Sequence, residues 1–279
     1  MTIATIDQLV DALGNNASRV LIDKASIVNL TANQLHSLWR ATGQPGQGAI
    51  PAAAARCTNA LTGAIQFAQQ TAPATSYLGW AAVACSNGAV TIEIHDRLMH
   101  MGGLSGTVTT AQTVDLDLFA NLAQDNLDAR KGDANFSDVS WWAEWYTDTG
   151  GTAVTMTVNV TYDDGSSGNL SAISLAATRR ASFLVPLNGF IPAADSGKFI
   201  RDINTVTLSA TTGAAGNFGF TATRNRVTLP LIQANFAALF DFQQLNMAEI
   251  LNSSCLFLIQ SASTTTTGTV RGQAKIIHG

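Results

Sequence analysis

The side chains best suited to chemistry sit close together in one place: His95, Asp96 and His100 in the segment HDRLMH. Imidazole and carboxylate are the groups from which proton relays and metal sites are built. On a strand, however, His95 and Asp96 point to opposite faces, so they cannot jointly hold one metal without a bulge. His100 lies five residues beyond His95, past the expected end of the strand. No HExxH and no second distant histidine pair supplies further ligands. These three residues are expected to be hydrogen-bonded structural groups.

Other chemistries find less support. No GxSxG occurs, and Cys57, Cys85 and Cys255 have no evident histidine and asparagine partners. The three cysteines are odd in number, far apart and outside any CxxC pair, which signals neither a zinc site nor a disulfide framework. Buried thiols are expected, with one intramolecular or intersubunit disulfide as the alternative. Glu93, Glu144 and Glu249 are lone glutamates, whereas a glycosidase needs two positioned carboxylates. Asp163-Asp164-Gly165-Ser166 resembles half of a calcium loop but lacks the bidentate glutamate, so it reads as a turn. GQPGQGAIP (43–51) lacks the Gly-Lys-Ser/Thr of a phosphate loop and reads as a glycine-rich connector. No enzyme activity, cofactor or metal is expected. Trp141, Trp142 and Trp145 could form a stacking platform for a sugar or partner, or pack in the core.

The stretch from Val139 to Leu175 organises the elements that would position such groups. Val154, Met156, Val158, Val160 and Tyr162 alternate strictly with Thr155, Thr157, Asn159 and Thr161, giving one oily and one threonine-rich face. In the preceding run Trp141, Ala143 and Trp145 share one face, and Trp142, Glu144 and Tyr146 the other. Each aromatic can bury ~150–250 Å². With short Gly, Asp, Thr and Ser connections, the stretch predicts an antiparallel meander.

The flanking chain follows the same logic. Thr5 and Gln8 form a capping box for a helix over 5–13, with Leu9, Val10 and Leu13 on one face. Residues 19–30 supply one or two strands. A second capping box at Thr31–Gln34 predicts a helix over 32–41. YLGWAAVAC and AVTIEIHDRL flank Asn87-Gly88, the strongest short hairpin signal. Residues 107–117 read as extended, and 118–131 as a surface helix or ordered loop. Further strands are expected at 179–187, 203–211 and 218–231, then a helix or coil over 235–251 and a terminal hairpin. About ten strands with few helices between them exclude parallel βαβ architecture. The fold expected is mainly β, an antiparallel jelly-roll-like β-sandwich with a small N-terminal helical and extended arm. The boundary is set at residue 50: an arm over 1–50 and a sandwich domain over 51–279.

Only 12% of the 279 residues are charged, about half of the usual ~25%. A polar surface made from Thr, Ser, Asn and Gln suits a chain that buries much of its outside in an assembly. Net charge is −4 and no cationic run exceeds Arg179-Arg180, so a broad nucleic-acid-binding face is excluded. The start, MTIATIDQLV, has no basic n-region, so no signal peptide is expected. No apolar run approaches the ~18 residues needed to span a membrane.

Four segments carry a resemblance: KASIVNLTANQLHSLWRATGQPGQGAIP, IEIHDRLMHMGGLSGTVTTAQT, EWYTDTGGTAVTMTVNVTYDDGSSG and VTLSATTGAAGNFGF. They are similar to a family of tailed-bacteriophage and prophage proteins encoded among virion genes, over nearly the whole chain from about Lys24. The resemblance implies a structural role and a location in the virion, and it supplies no catalytic residues. The function expected is that of a capsid decoration protein, binding the major capsid protein or other virion proteins and itself as a small homo-oligomer. A neck, collar or tail component is the alternative, as is a host-surface carbohydrate-binding module. Candidate partner contacts are Trp142 and Tyr146 on the tryptophan strand, and Gln44 and Gln47 in the 43–51 loop.

Overall fold

The computed structural model describes residues 3–279, so the first two residues of the expected arm lie outside the described residues. Helix α1 (Ile6–Asn15) leads into β1 (Ala17–Lys24), β2 (Gln34–Ser37) and the two-residue β3 (Gly43–Gln44) and β4 (Ala55–Arg56). Strands β5 (Ser76–Cys85), β6 (Val90–Leu104) and β7 (Gln112–Asp117) follow, then one helical turn, α2 (Leu127–Arg130). The middle of the chain supplies β8 (Ser140–Thr147), β9 (Val154–Tyr162), β10 (Ser167–Asn169), β11 (Ile173–Leu175) and β12 (Phe183–Pro186). Last come β13 (Ile200–Leu208), β14 (Asn217–Leu231), β15 (Ala238–Phe240), β16 (Glu249–Ile250), β17 (Leu256–Ala262) and β18 (Val270–His278). The protein is mainly β, an antiparallel β-sandwich architecture with one short N-terminal helix, as the alternation predicts.

The chain divides into two compact units, with boundaries inside β6 and β14. The first holds residues up to 49, 58–96 and 226–279. Its first sheet has the order β15-β5-β18-β1-β3, with β16 also on β5. β17 pairs with β2 on one side and with residues 91–96 of β6 on the other. Both layers feed one core: Ile22 of β1, Val83 of β5, Ile92 of β6, Leu258 of β17 and Ile276 of β18 belong to the same buried cluster.

The second unit holds residues 50–57 and 97–225. One sheet runs β10-β9-β13-β7, with β11 on β9; the opposing strands are β8, flanked by β12 and by residues 217–223 of β14. Trp141, Ala143 and Trp145 of β8 share a core with Val154, Met156, Val158, Val160 and Tyr162 of β9. The two oily faces read from the sequence therefore meet.

They meet face to face rather than side by side. Three predicted strand pairs turn out to be connections between sheets: β5 to β6, β8 to β9, and β17 to β18. An apolar–polar alternation fixes which face is buried but not whether the next strand lies beside it or across the core. The connections are four, six and seven residues long, which leaves room to cross. Asn87 of the expected hairpin stitches two of these crossings together. Its Nδ2 donates to Thr266 O (2.9 Å) and Thr264 Oγ1 (3.0 Å), while Ser86 N donates to Thr269 O (3.0 Å).

The first unit also revises the N-terminal reading. The capping box at α1 is formed: Gln8 N donates to Thr5 Oγ1 (3.3 Å) and Thr5 N donates to Gln8 Oε1 (3.1 Å). Leu9 is buried as predicted, but Val10 is 63% exposed. The expected helix over 32–41 is instead β2 and a 3₁₀ turn at Leu38–Arg40, because Gln34–Ser37 pair in register with Ala262–Ile259. Here sheet pairing overrides the local capping signal. The strand expected within 19–30 is β1, whose residues 17–24 are all in register with the C-terminal strand, Ala17 opposite Ile277 through Lys24 opposite Val270. Residues 235–251 hold two short strands and turns, and 118–131 hold a 3₁₀ turn and α2.

Candidate contact surface and the buried polar network

Each member of the histidine segment is engaged structurally. His95 Nε2 lies 2.7 Å from Glu93 Oε2, and Asp96 Oδ1 accepts from Cys255 N (2.8 Å). His100 Nδ1 lies 3.0 Å from Arg97 Nη1, and must be the acceptor because a guanidinium only donates. Among the described residues no group of three or more His, Cys, Asp or Glu could hold a metal ion. No helix of the described residues is long and apolar enough to cross a membrane. The three cysteines are buried, and burial pushes the Cys85 thiol up.

The residue between these histidines carries the larger polar construction, and sequence reading missed it. Arg97 is fully buried and its Nη2 donates to Glu144 Oε1 at 2.9 Å. Thr221 Oγ1 and Tyr146 OH (3.2 Å) donate to Glu144 Oε2. Burial opposes the Arg97 charge, but the Glu144 carboxylate outweighs it and holds the pKa above its ordinary value. Burial and the same carboxylate push the Tyr146 phenol well up. With donors on both oxygens, Glu144 acts as an acceptor hub rather than as a free base. The signal was present: Trp142, Glu144 and Tyr146 alternate on one face, and two aromatics flanking a lone acid mark a buried face as readily as a wet one.

That face corrects two candidate contacts. Trp142 is buried and its indole Nε1 donates to Thr223 Oγ1 (2.8 Å). Tyr146 is buried in the Glu144 network. Neither ring forms a stacking platform.

Gln44 and Gln47 are exposed. They belong to a loop that is folded tightly around Trp39 rather than swinging free. Gly48 N donates to Trp39 O (2.9 Å), and the indole Nε1 donates to Ala49 O (2.9 Å). A Cβ on Gly48 or Gly63 would come within 2.1 or 2.5 Å of the indole ring, so both positions need glycine to let the backbone lie on it. Gln47 Nε2 donates to Arg40 O (2.7 Å). Beneath the loop, buried Lys24 donates from Nζ to Ala41 O (3.0 Å), Pro45 O (2.6 Å) and Gly46 O (3.3 Å). Burial lowers its pKa to about 8. Beside the loop opens a cleft of about 420 Å³, lined by Arg19, Leu21, Gln44, Pro45, Thr62 and Gln66 among others. This cleft takes in Gln44, and Arg19 is its one charged lining residue.

A second carboxylate feature lies in the other unit. Asp202 of β13 stands directly opposite Asp117 of β7. Burial, reinforced by the neighbouring Asp117 carboxyl, raises Asp202 to about 6, against the pull of Phe119 N (3.0 Å) and Arg201 Nε (2.9 Å).

No protein-family model matches the chain, and no curated protein matches it. Among solved structures, the chain is similar to the infectious bursal disease virus VP2 subviral particle, at 11% identity over 95% of this chain and 80% of that one, with a TM-score of 0.17. The T=1 particles derived from the same virus match at 11% identity, 95% and 78% coverage and a TM-score of 0.16. The Gt strain of that virus matches at 12% identity, 95% and 82% coverage and a TM-score of 0.16. Likenesses this weak carry no argument about fold or function.

Proposed function

We propose that this protein is a non-enzymatic structural component of a tailed-bacteriophage particle, a decoration protein bound to the lattice of the major capsid protein. The observation that supports this reading is the outside of the first unit. Leu21, Val28, Ile232, Phe236 and Leu239 all stand exposed there, on a chain with only 12% charged residues. The ladder places Leu21, Gln273, Ala82 and Leu239 in one row across four strands. Leu21 and Leu239 thus share one face of the sheet, and exposed apolar side chains there offer contact surface to a partner. Repetition over a lattice multiplies modest contacts into avidity. The segments resembling tailed-phage and prophage virion proteins supply the particle class. Self-association into a small oligomer belongs to the same reading. A neck, collar or tail position uses the same surface with fewer copies. A host-surface carbohydrate module has less behind it, since the Trp142 and Tyr146 rings are buried.

The test is reconstitution. Particles grown without the protein are incubated with the purified chain and heated. Saturable binding, with breakage shifted to higher temperature, is the expected result. Particles that neither bind the chain nor differ in stability would sink the decoration role.

A further inference from the structure

β3 pairs with β1 over only two residues, Gln44 opposite Asp23 and Gly43 opposite Lys24, and just beyond them Ala25 N donates to Thr42 O (3.0 Å). In an antiparallel ladder the main-chain groups of every second residue face the same side. Those of Arg19 and Leu21 therefore point the same way as those of Asp23 and Ala25. The chain leaves this lane after Gln44, where Pro45 has no N–H with which to continue the ladder. From Ala17 to Ile22, β1 is paired with β18 on one side, and among the described residues no strand occupies the other.

The vacated lane is a built groove. The 420 Å³ cleft occupies it, with Arg19, Val20 and Leu21 on one wall and Thr62, Ile65 and Gln66 on the other. The walls are fastened at both ends. Ala68 N donates to Ser18 Oγ (2.9 Å) at one end. At the other, Lys24 grips the carbonyls of Pro45 and Gly46, and Gly46 lies so close to Thr62 that a Cβ would approach Cγ2 to 2.8 Å. Such walls keep the groove open without an occupant, so little ordering cost falls on binding.

We propose that this groove takes an extended peptide from a partner protein by strand addition antiparallel to β1, with an apolar residue opposite Leu21 and an acidic residue opposite Arg19. Main-chain bonds to an open edge give affinity, and alternate side chains give specificity. Cross-strand neighbours share a face. Leu21 is 62% exposed and offers its side chain to an apolar neighbour on the outer face. Arg19 is exposed, is the only charged lining residue, and has no carboxylate partner among the described residues. The residue between them faces inward beside buried Val20, Ala64 and Ile65 and must be small and apolar. Read from its N-terminus, the incoming strand is apolar, small, acidic. Nothing in this chemistry depends on whether the partner is a capsid protein.

A random linear heptapeptide library is selected against the immobilised full-length chain, and an enriched peptide is synthesised for binding measurements. The expected result is enrichment of the apolar–small–acidic triplet and at least tenfold slower amide exchange at Arg19 and Leu21 in the complex. Arg19→Glu weakens the acidic peptide at least tenfold and favours its lysine counterpart, and Thr62→Trp plugs the groove. Both positions are exposed, and circular dichroism checks that the variants fold. No enrichment, or enriched peptides that leave both amides unchanged, overturns the proposal. So does a concentration-dependent dimer of the free chain in which those amides are already protected, because the occupant would then be a second copy.

Discussion

Arg97 Nη2 and Glu144 Oε1 lie 2.9 Å apart, with the two side chains sealed from solvent. Taking two charges out of water costs several kcal/mol per ion, and their attraction repays it only with good geometry and further hydrogen bonds. Here those bonds come from Thr221, Tyr146 and His100. The pair ties β6 to β8, and the Thr221 bond ties Glu144 to β14, where Glu144 stands opposite Gly219, two residues before Thr221.

Removing one partner should be far worse than removing both. Glu144→Gln leaves a guanidinium buried without its counter-charge and should cost about 3–5 kcal/mol. Urea unfolding reads this directly. The double variant Arg97→Met with Glu144→Leu should lose much less, and equal losses in single and double variants would contradict the account.

Asp202 should make stability depend on pH in the acid range. Its folded pKa is raised from 3.8 to about 6. Between those values the folded state keeps a proton that the unfolded chain has released, so the contribution falls as pH rises from about 4 to about 6. Asp202→Asn should remove that part of the slope in a series of unfolding curves. Parallel slopes for the two proteins would refute it.

Lys24 should act at the alkaline end, with the opposite sign. Its pKa is lowered from 10.5 to about 8, so the unfolded state binds the extra proton between those values. Stability from this group therefore rises with pH from about 8 to 10.5. Lys24→Met should abolish that rise. It should also strand the carbonyls of Ala41, Pro45 and Gly46, at about 1–3 kcal/mol for each group left unsatisfied.

Trp142→Ala should damage the fold rather than a binding face. Truncating a buried tryptophan costs about 3–5 kcal/mol. Trp142→Phe should retain most of the packing and lose the indole bond to Thr223, about 1 kcal/mol. A Trp142→Ala protein of unchanged stability would return the residue to the surface.

Much of the fold was legible because strand alternation reports burial directly. Val154 through Tyr162 fill the core as their spacing demands, and Thr5 with Gln8 caps α1. Partnership between strands was not legible, because face-to-face and side-by-side packing need the same alternation. The Asn87-Gly88 signal marks a real turn, yet its strands belong to different sheets. Thr31–Gln34 has a helix-start pattern, but β17 claims Gln34–Ser37, where the first turns would form, for a ladder. Gln44 could be placed at a surface from loop composition. The groove beside it could not, since Arg19 and Thr62 meet only through tertiary packing. The Arg97–Glu144 pair was hidden for the same reason, its members standing 47 positions apart in the chain.

The most direct test of the structural role is the copy number of this protein in purified particles, measured by quantitative mass spectrometry against the major capsid protein. The account predicts a ratio near one, or a simple fraction such as one third, as decoration of a lattice requires. A few to a few tens of copies would move the protein to the neck or tail, and its absence from the particle would contradict the structural role itself.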